Sequence, residues 1–211
     1  EIGVALVEDL HKVTLVLLAS LPPAPHLGKE ETAMASAAEI VRFWRDAGYK
    51  AWFTKDETFD GRCRAFEAEH HAAARGELKA WEMDAEGALA LLILLDQLPR
   101  NIFRGSPHAF ATDGLAQAVA LRAIERQFDA ATDSDMRFFF YMPLEHAEDL
   151  ALQERCVTLF TNLGEPNYLK YAILHRDIIV KFGRFPHRNA ILGRKSTPEE
   201  LAFLADGGFA G

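Results

Sequence analysis

The segment from Gly183 to Arg194, called the basic segment below, holds an unusual concentration of cationic and titratable side chains. It contains Arg184, His187, Arg188 and Arg194 in a chain that is acidic as a whole. Guanidinium groups bind carboxylates and phosphates through paired hydrogen bonds, so one interpretation is a positively charged pocket for such a group. The other is a buried structural network in which carboxylates from elsewhere in the chain neutralise these cations. The two interpretations are compatible if the carboxylates hold the arginines in position around a pocket.

A second polar cluster, Glu145, His146 and Asp149, follows Pro143. If one helix runs through it, spacings of three and four residues place these side chains on neighbouring strips. Glu145 or Asp149 would then orient His146 for general acid–base chemistry. Alternatively, the acids belong to the first turn of a new helix, where the helix dipole favours carboxylates. The candidate catalytic residues are His146, His187 and Glu145.

The stretch Ala88–Leu95 is apolar on every side, which predicts a helix at the centre of the core that is covered all round. Pro99 is expected to end this helix because proline cannot donate a backbone N–H. Asp96 then lies in the last turn, where the helix dipole disfavours an anion. It therefore needs a cation as a partner, and Arg100, Arg104 and the basic segment supply candidates.

His175 lies on a helical stripe with Tyr171 and Ile178. A histidine on such a face is more often a core residue with a satisfied hydrogen bond than a ligand, and both interpretations stay open. Two Glu-x-x-His spacings, ending at His11 and His70, match those of di-iron helical bundles. The further carboxylates that such a centre needs are not apparent, so no metal and no cofactor is predicted.

Composition limits the classes of partner. The 211 residues carry a formal net charge of −8 with a pI near 5.5, which gives no electrostatic support for binding nucleic acid or an anionic membrane. The apolar runs are far shorter than the ~20 residues that cross a bilayer. Cys63 and Cys156 form no motif, which argues against a disulfide framework and favours a reducing cytoplasm.

The chain reads as one helical pattern after another, without the sustained alternation typical of strands. We predict an all-α fold of eight to nine helices, packed as antiparallel pairs in a bundle or an α-solenoid. Residues 1–28 are expected to form an amphipathic helix, over 4–21, and a proline-rich linker. Residues 29–211 then form a single helical domain. The N-terminal helix packs on this body or on a neighbouring subunit, which suggests a homo-oligomer.

Helix boundaries follow from caps and breakers. A helix over 30–47 is expected to end at Gly48, since glycine is a common residue after the last helical turn. Thr112, with the aspartate after it, is expected to cap a helix over 114–128. A further helix is predicted from about 147 to 162.

Several segments, in matching order from about Ile40 to Phe209, resemble one bacterial family. They are Trp52-Phe53-Thr54-Lys55-Asp56, Leu95–Gly105, Phe110-Ala111-Thr112-Asp113, Pro143–Asp149, His175-Arg176-Asp177, Gly183–Asn189 and Leu192-Gly193-Arg194. The family is the uncharacterised one called domain of unknown function, family 924. The resemblance implies an all-helical fold similar to tetratricopeptide-type right-handed superhelices, and it brings no established substrate or reaction. Leu98 stands where the family often has phenylalanine, an exchange of one apolar residue for another.

Two hypotheses of function remain. In the first, the chain has a polar pocket for a small anionic molecule, as a binding protein or an enzyme. Arg100 and Arg188 clamp the anion, and His146 or His187 moves protons. In the second, the chain is a tetratricopeptide-like module that binds a peptide or protein without catalysis, which rests on fold analogy alone. The candidate ligand-binding residues are Asp96, Arg100, Asn101, Arg104, Glu145, His146, Asp149, His175, Arg184, His187, Arg188 and Asn189.

Overall fold

The structure is a computed structural model that describes residues 34–209, and this part of the chain is helical, with no β-strand. The predicted all-α class is confirmed. Residues 34–209 belong to one compact unit. The predicted N-terminal helix and linker at 1–28, and the subunit contact assigned to them, lie outside the described residues. Among the helices of the described part, none is both long and apolar enough to cross a membrane.

In the described part of the chain most of the α-helices are short, and five of the connections between them contain 3-10 helix. In chain order the α-helices are α1 (Ala37–Phe53), α2 (Glu57–Cys63), α3 (Glu67–Ala74), α4 (Ala85–Leu92), α5 (Leu98–Ile102), α6 (Asp113–Glu125), α7 (Ser134–Arg137), α8 (Met142–Glu145), α9 (Leu150–Leu163), α10 (Pro166–Phe182) and α11 (Pro198–Ala205). The 3-10 turns are Arg64–Phe66, Lys79–Met83, Pro107–Phe110, Phe138–Phe140 and Pro186–Arg188.

The centre of the fold is one continuous helical run that consists of α4, a π-turn (Ile93–Gln97) and α5. Asp84 caps its start, because the Asp84 carboxylate accepts a hydrogen bond of 2.8 Å from the backbone N–H of Gly87. All residues from Gly87 to Leu98 are buried, and α1 and α6 pack against α4. The structure thus confirms a central helix that is covered on every side.

Pro99 does not end this helix, so that prediction is wrong: the proline lies inside the run, in the first turn of α5. Because Pro99 has no N–H, the carbonyl of Leu95 has no α-helical donor, and because the N–H of Leu98 bonds to Ile93 in the π-turn, the carbonyl of Leu94 also lacks its usual helical donor. Two side chains replace it. Nδ1 of His70 donates to the Leu94 carbonyl at 2.8 Å, and Oγ1 of Thr112 donates to the Leu95 carbonyl at 2.6 Å. The irregular turn persists in the core because its buried carbonyls are paired.

Thr112 therefore does not cap the next helix as predicted. Its hydroxyl is used at the Leu95 carbonyl, and α6 begins at Asp113 without a side-chain cap. A helix N-terminus near the surface can bind water, whereas a buried carbonyl needs a donor from the protein. The Thr112 hydroxyl therefore pairs with the buried Leu95 carbonyl instead of capping α6.

The helix predicted from about residue 147 begins instead at Leu150. Asp149 has an extended backbone, with φ −139°, and caps α9 by accepting a hydrogen bond of 2.9 Å from the N–H of Leu152. Glu145 ends α8 and His146 follows it, so His146 and Asp149 do not share a helix face. Of the two roles predicted for Asp149, the structure shows the one at the start of a new helix and not the orientation of His146.

The first described helix also differs from the prediction. α1 extends to Phe53, beyond the expected end at residue 47, although Gly48 interrupts it with φ +75°. Glycine adopts this left-handed conformation without the steric cost that a side chain would add. Beyond the kink, the indole Nε1 of Trp52 donates to the carbonyl of Trp44 at 2.7 Å, which anchors this end of the helix to the core.

The last long helices form a pair. α9 and α10 pack against each other and are joined only by Gly164 and Glu165, and such a short connection favours an antiparallel pair. Gly183, at φ +69°, ends α10 and leads into the basic segment. The assembly of such pairs into a right-handed superhelix remains a prediction with which these helices are compatible.

We expect Thr112→Val to lower the free energy of unfolding by about 1–3 kcal/mol. Valine keeps the shape of threonine but removes the hydroxyl, which leaves the buried Leu95 carbonyl without a donor. Urea unfolding measures the change. Thr158→Val is the matched control, because the Thr158 hydroxyl donates to the Glu154 carbonyl on an exposed face of α9, and its loss should cost no more than about 0.5 kcal/mol. Equal losses in both variants would contradict this role of Thr112.

Candidate functional site

A cavity of about 480 Å³ lies where the end of the central helix meets the basic segment. Its described lining combines four cationic side chains, three imidazoles and several aromatic rings, and it includes no carboxylate. The volume is typical of pockets for small molecules. The cationic and imidazole residues of the lining are Lys55, Arg100, Arg104, Arg188, His146, His175 and His187.

Asp96 lies behind the cavity wall, fully buried in the π-turn. Its carboxylate oxygens are 2.9 and 3.0 Å from Nδ1 of His146 and 3.1 Å from Nη1 of Arg100, and the side-chain amide of Gln97 also donates to it. Burial raises the pKa of Asp96, but the charge of Arg100 and the contact with His146 outweigh burial and hold the pKa at about 2. Asp96 is therefore ionised at neutral pH.

This carboxylate holds His146 in one tautomer. Burial lowers the pKa of His146 and the charge of Arg100 lowers it further, while Asp96 opposes both effects only in part. The ring is therefore neutral near pH 7, with its proton on Nδ1 donated to Asp96. Because His146 lines the cavity, its unprotonated Nε2 is the nitrogen that a bound molecule can meet, either as a hydrogen-bond acceptor or as a base.

Asp113 joins two arginines of the cavity wall. Its carboxylate is 3.1 Å from Nη2 of Arg100 and 3.3 Å from Nη1 of Arg188. Asp113 does not line the main cavity itself, so it fixes both guanidinium groups from behind. Arg100 and Arg188, predicted to act as a pair, are thus brought together by a shared carboxylate.

The guanidinium of Arg188 also contacts two aromatic rings. Its Cζ lies 4.7 Å from the ring centroid of Phe110 and 4.5 Å from that of Phe185, and Nη1 donates to the carbonyl of His146 at 3.1 Å. Burial and the charge of Arg100 lower the pKa of Arg188 to about 10, so the side chain is still charged at pH 7. Within the described part of the chain, its Nη2 has no hydrogen-bond partner.

Glu145 and His175 form a second buried pair. Oε1 of Glu145 is 3.2 Å from Nδ1 of His175, and the same nitrogen is 2.9 Å from the carbonyl of Tyr171. Burial raises the pKa of Glu145 to about 8, with a further contribution from the charge of Asp96, and burial lowers the pKa of His175 to about 3. Near pH 7 the imidazole is neutral and the carboxyl group is mainly protonated, and Nδ1 of His175 carries the ring proton that the Tyr171 carbonyl accepts.

His187, the third imidazole of the lining, lies near the rings of Phe185 and Phe209, at centroid distances of 5.6 and 5.4 Å. Burial and the charge of Arg188 lower its pKa to about 4. Its Nδ1 is buried and has no hydrogen-bond partner among residues 34–209. Because His146 has a carboxylate that orients it and His187 has none, His146 is the better placed of the two candidate bases.

Asn101 and Arg104 also line the cavity, and Asp60 holds both. Nδ2 of Asn101 donates to Asp60 at 2.8 Å, and Arg104 forms two hydrogen bonds of 2.7 and 2.8 Å to the same carboxylate. These bonds with Arg104 lower the pKa of Asp60. The pattern repeats that of Asp113, with a carboxylate outside the lining positioning a cation within it.

The other predicted site residues lie elsewhere. Arg184 binds Glu200 through two hydrogen bonds of 2.6 and 2.9 Å, and Asn189 donates to the same carboxylate at 3.1 Å. Both residues therefore fasten the start of α11 to the basic segment. Neither of them, nor Asp149, lines the cavity.

Sequence reasoning missed three acids that shape the site: Asp60, Asp113 and Glu148. Asp113 had a visible signal, since it ends one of the family motifs, but its position at a helix start suggested only a cap. Glu148 accepts a hydrogen bond of 2.8 Å from the N–H of Phe185 and pairs with Arg194 at 2.6 Å, which holds the basic segment in place.

Glu145→Gln should remove a pH dependence of stability. The folded chain keeps a proton on Glu145 up to about pH 8, whereas the unfolded chain releases it near the ordinary value of 4.5. Between these values the unfolded state binds fewer protons, so wild-type stability falls as pH rises, by at most about 1.4 kcal/mol per pH unit. Glutamine imitates the protonated acid and lacks this loss.

Urea unfolding of both proteins across this pH range tests the assignment. The stability of the variant relative to wild type should rise steadily with pH. Two parallel curves would mean that Glu145 is ionised in the folded chain.

Comparisons with known proteins agree with this fold. A solved structure of a protein of unknown function from Agrobacterium tumefaciens, ATU0120, is 52% identical to this chain, with a TM-score of 0.79 over 81% of this chain and 97% of that one. No curated protein matches. The family model described as "Bacterial protein of unknown function (DUF924)" matches residues 40–208. As the resemblance predicted, the chain belongs to this family.

Proposed function

We propose that the chain binds a small anionic molecule, a carboxylate or a phosphate, in the cavity beside the central helix. The observation that carries the proposal is the separation of charge around this cavity. Cationic side chains line it, whereas the carboxylates that position them lie outside the lining. In a wall of this kind the arginines are held in place but their charge is not covered on the cavity side.

The donors of Arg188 support the same proposal. Nη1 is used by Asp113 and by the His146 carbonyl, while Nη2 has no partner in the described chain, and the rings of Phe110 and Phe185 restrict the guanidinium plane. A preorganised guanidinium loses little entropy when it binds an anion. Arg100 and Lys55 add positive charge to the same wall.

We further propose that His146 accepts a proton from the bound molecule. The proton leaves the ligand for Nε2, and the imidazolium that forms is stabilised by Asp96 at 2.9 Å from Nδ1. Arg100 disfavours the imidazolium, so the site suits a base that holds its proton only briefly. An acid–base enzyme acting on a small anion is the reaction class that these groups support.

The cytoplasm remains the proposed location. Both Cys63 and Cys156 are free thiols that lie buried in the core, and burial raises the pKa of the Cys63 thiol to about 12. Such thiols are poorly reactive and are typical of a reducing compartment.

Thermal unfolding in the presence of citrate, succinate, inorganic phosphate and glycerol 3-phosphate tests anion binding, with chloride at equal ionic strength as the reference. An anion present at a hundred times its Kd adds about 2.7 kcal/mol, which raises the Tm of a chain of this size by about 5–10 °C. Arg188→Lys keeps the charge but loses the planar fork, so it should reduce the shift at least by half.

Arg122→Lys is the matched control, because Arg122 forms a paired ion bridge to Glu82 on the surface and does not line the cavity. Lys55→Ala is a second cavity variant that leaves the buried network intact, and it should weaken binding without a loss of stability. If no anion stabilises wild type, or if all three variants respond as wild type does, the pocket proposal fails and the peptide-binding hypothesis gains weight.

A further inference from the structure

Two of the imidazoles in the cavity have their ring protons committed to the protein. Nδ1 of His146 lies 2.9 Å from the Asp96 carboxylate, and Nδ1 of His175 lies 2.9 Å from the carbonyl of Tyr171. The Asp96 carboxylate can only accept, and so can the Tyr171 carbonyl, which is closer to Nδ1 of His175 than the Glu145 carboxyl group at 3.2 Å. Each Nδ1 therefore carries the hydrogen, and each Nε2 is a bare acceptor. The cavity wall therefore holds two hydrogen-bond acceptors beside its cations.

These acceptors lie close together. The ring centroids of His146 and His175 are 6.4 Å apart, and both residues line the cavity. Neither Nε2 has a hydrogen-bond partner in residues 34–209. The two rings are thus close enough for one small molecule in the cavity to contact both, and Arg100 and Arg188 line the same cavity.

We propose that the ligand is a hydroxylated anion, such as a hydroxy acid or a hydroxylated phosphate ester, whose hydroxyl groups donate to Nε2 of His146 and His175. This inference rests on the proposed function. A bare acceptor that is removed from water needs a donor from its ligand, and a ligand without one leaves that acceptor unpaired.

The charges around the cavity select the kind of donor. An ammonium group could also donate to an imidazole nitrogen, but it would lie next to Lys55, Arg100, Arg104 and Arg188, whereas the carboxylates that pair with the three arginines lie outside the described lining. A hydroxyl group donates without adding positive charge. The ring of Phe209, which lines the cavity 4.6 Å from the ring of His175, suits the carbon skeleton that carries it.

The test compares probes that differ only in hydroxyl groups. Isothermal titration measures citrate against tricarballylate for the carboxylate source, and glycerol 3-phosphate against propyl phosphate for the phosphate source. In at least one pair the hydroxylated probe should bind about tenfold more tightly, as expected for one satisfied acceptor. The pair that discriminates identifies the source of the anionic group.

Two variants of His175 distinguish the role of its Nε2 from that of its Nδ1. His175→Asn keeps a donor where Nδ1 lies but has no acceptor at Nε2, so it should bring the ratio between the paired probes close to one while binding of the deoxy probe persists. His175→Gln places an amide oxygen near the Nε2 position and should retain part of the discrimination.

The outcomes separate the two levels of the proposal. If wild type binds the deoxy probes as tightly as the hydroxylated ones, the inference is wrong and the anion pocket stands. If His175→Asn discriminates as wild type does, His175 is not the acceptor and the inference is likewise overturned. If neither member of either pair binds, both the proposed function and this inference are wrong.

Discussion

One buried carboxylate, that of Asp96, is the interaction on which the rest of the structure depends. An ionised group in an apolar core costs several kcal/mol unless other groups pair with it and bind its lone pairs. Arg100 and Gln97 do so from the same helical run, and His146 does so from the end of α8. Arg100 in turn reaches Asp113, and Asp113 reaches the basic segment. A single charge thereby decides how three distant stretches of the chain meet.

The backbone that carries this carboxylate is irregular for a related reason. Pro99 removes a donor one turn after a fully apolar stretch, and the π-turn before it requires His70 and Thr112 as substitutes. Buried polar backbone is expensive unless it is fully paired, and π-turns occur often at functional sites. In this chain the π-turn places Asp96 directly behind the wall of the cavity, where it contacts His146 and Arg100, so the irregular backbone lies next to the proposed site.

Much of this arrangement could be predicted from residue types alone. A carboxylate directly after an apolar helical stretch needs a cation, which made the pairing of Asp96 with Arg100 predictable, and three arginines in the basic segment implied acids nearby. Which acid meets which base could not be predicted. Asp149 and Asp113 carry the same first-turn signal, yet one caps a helix at the surface and the other holds two arginines. Only the packing of the helices distinguishes them.

Because the family has no known reaction, function has to be argued from the site rather than from the fold. The central claim is that the Asp96 carboxylate fixes His146 as a neutral imidazole with the proton on Nδ1. Nitrogen-15 NMR of the imidazole side chains at pH 7 measures this directly. We expect a protonated Nδ1 and an unprotonated Nε2 for His146. An Nε2–H tautomer, or an imidazolium with both nitrogens protonated, would contradict it.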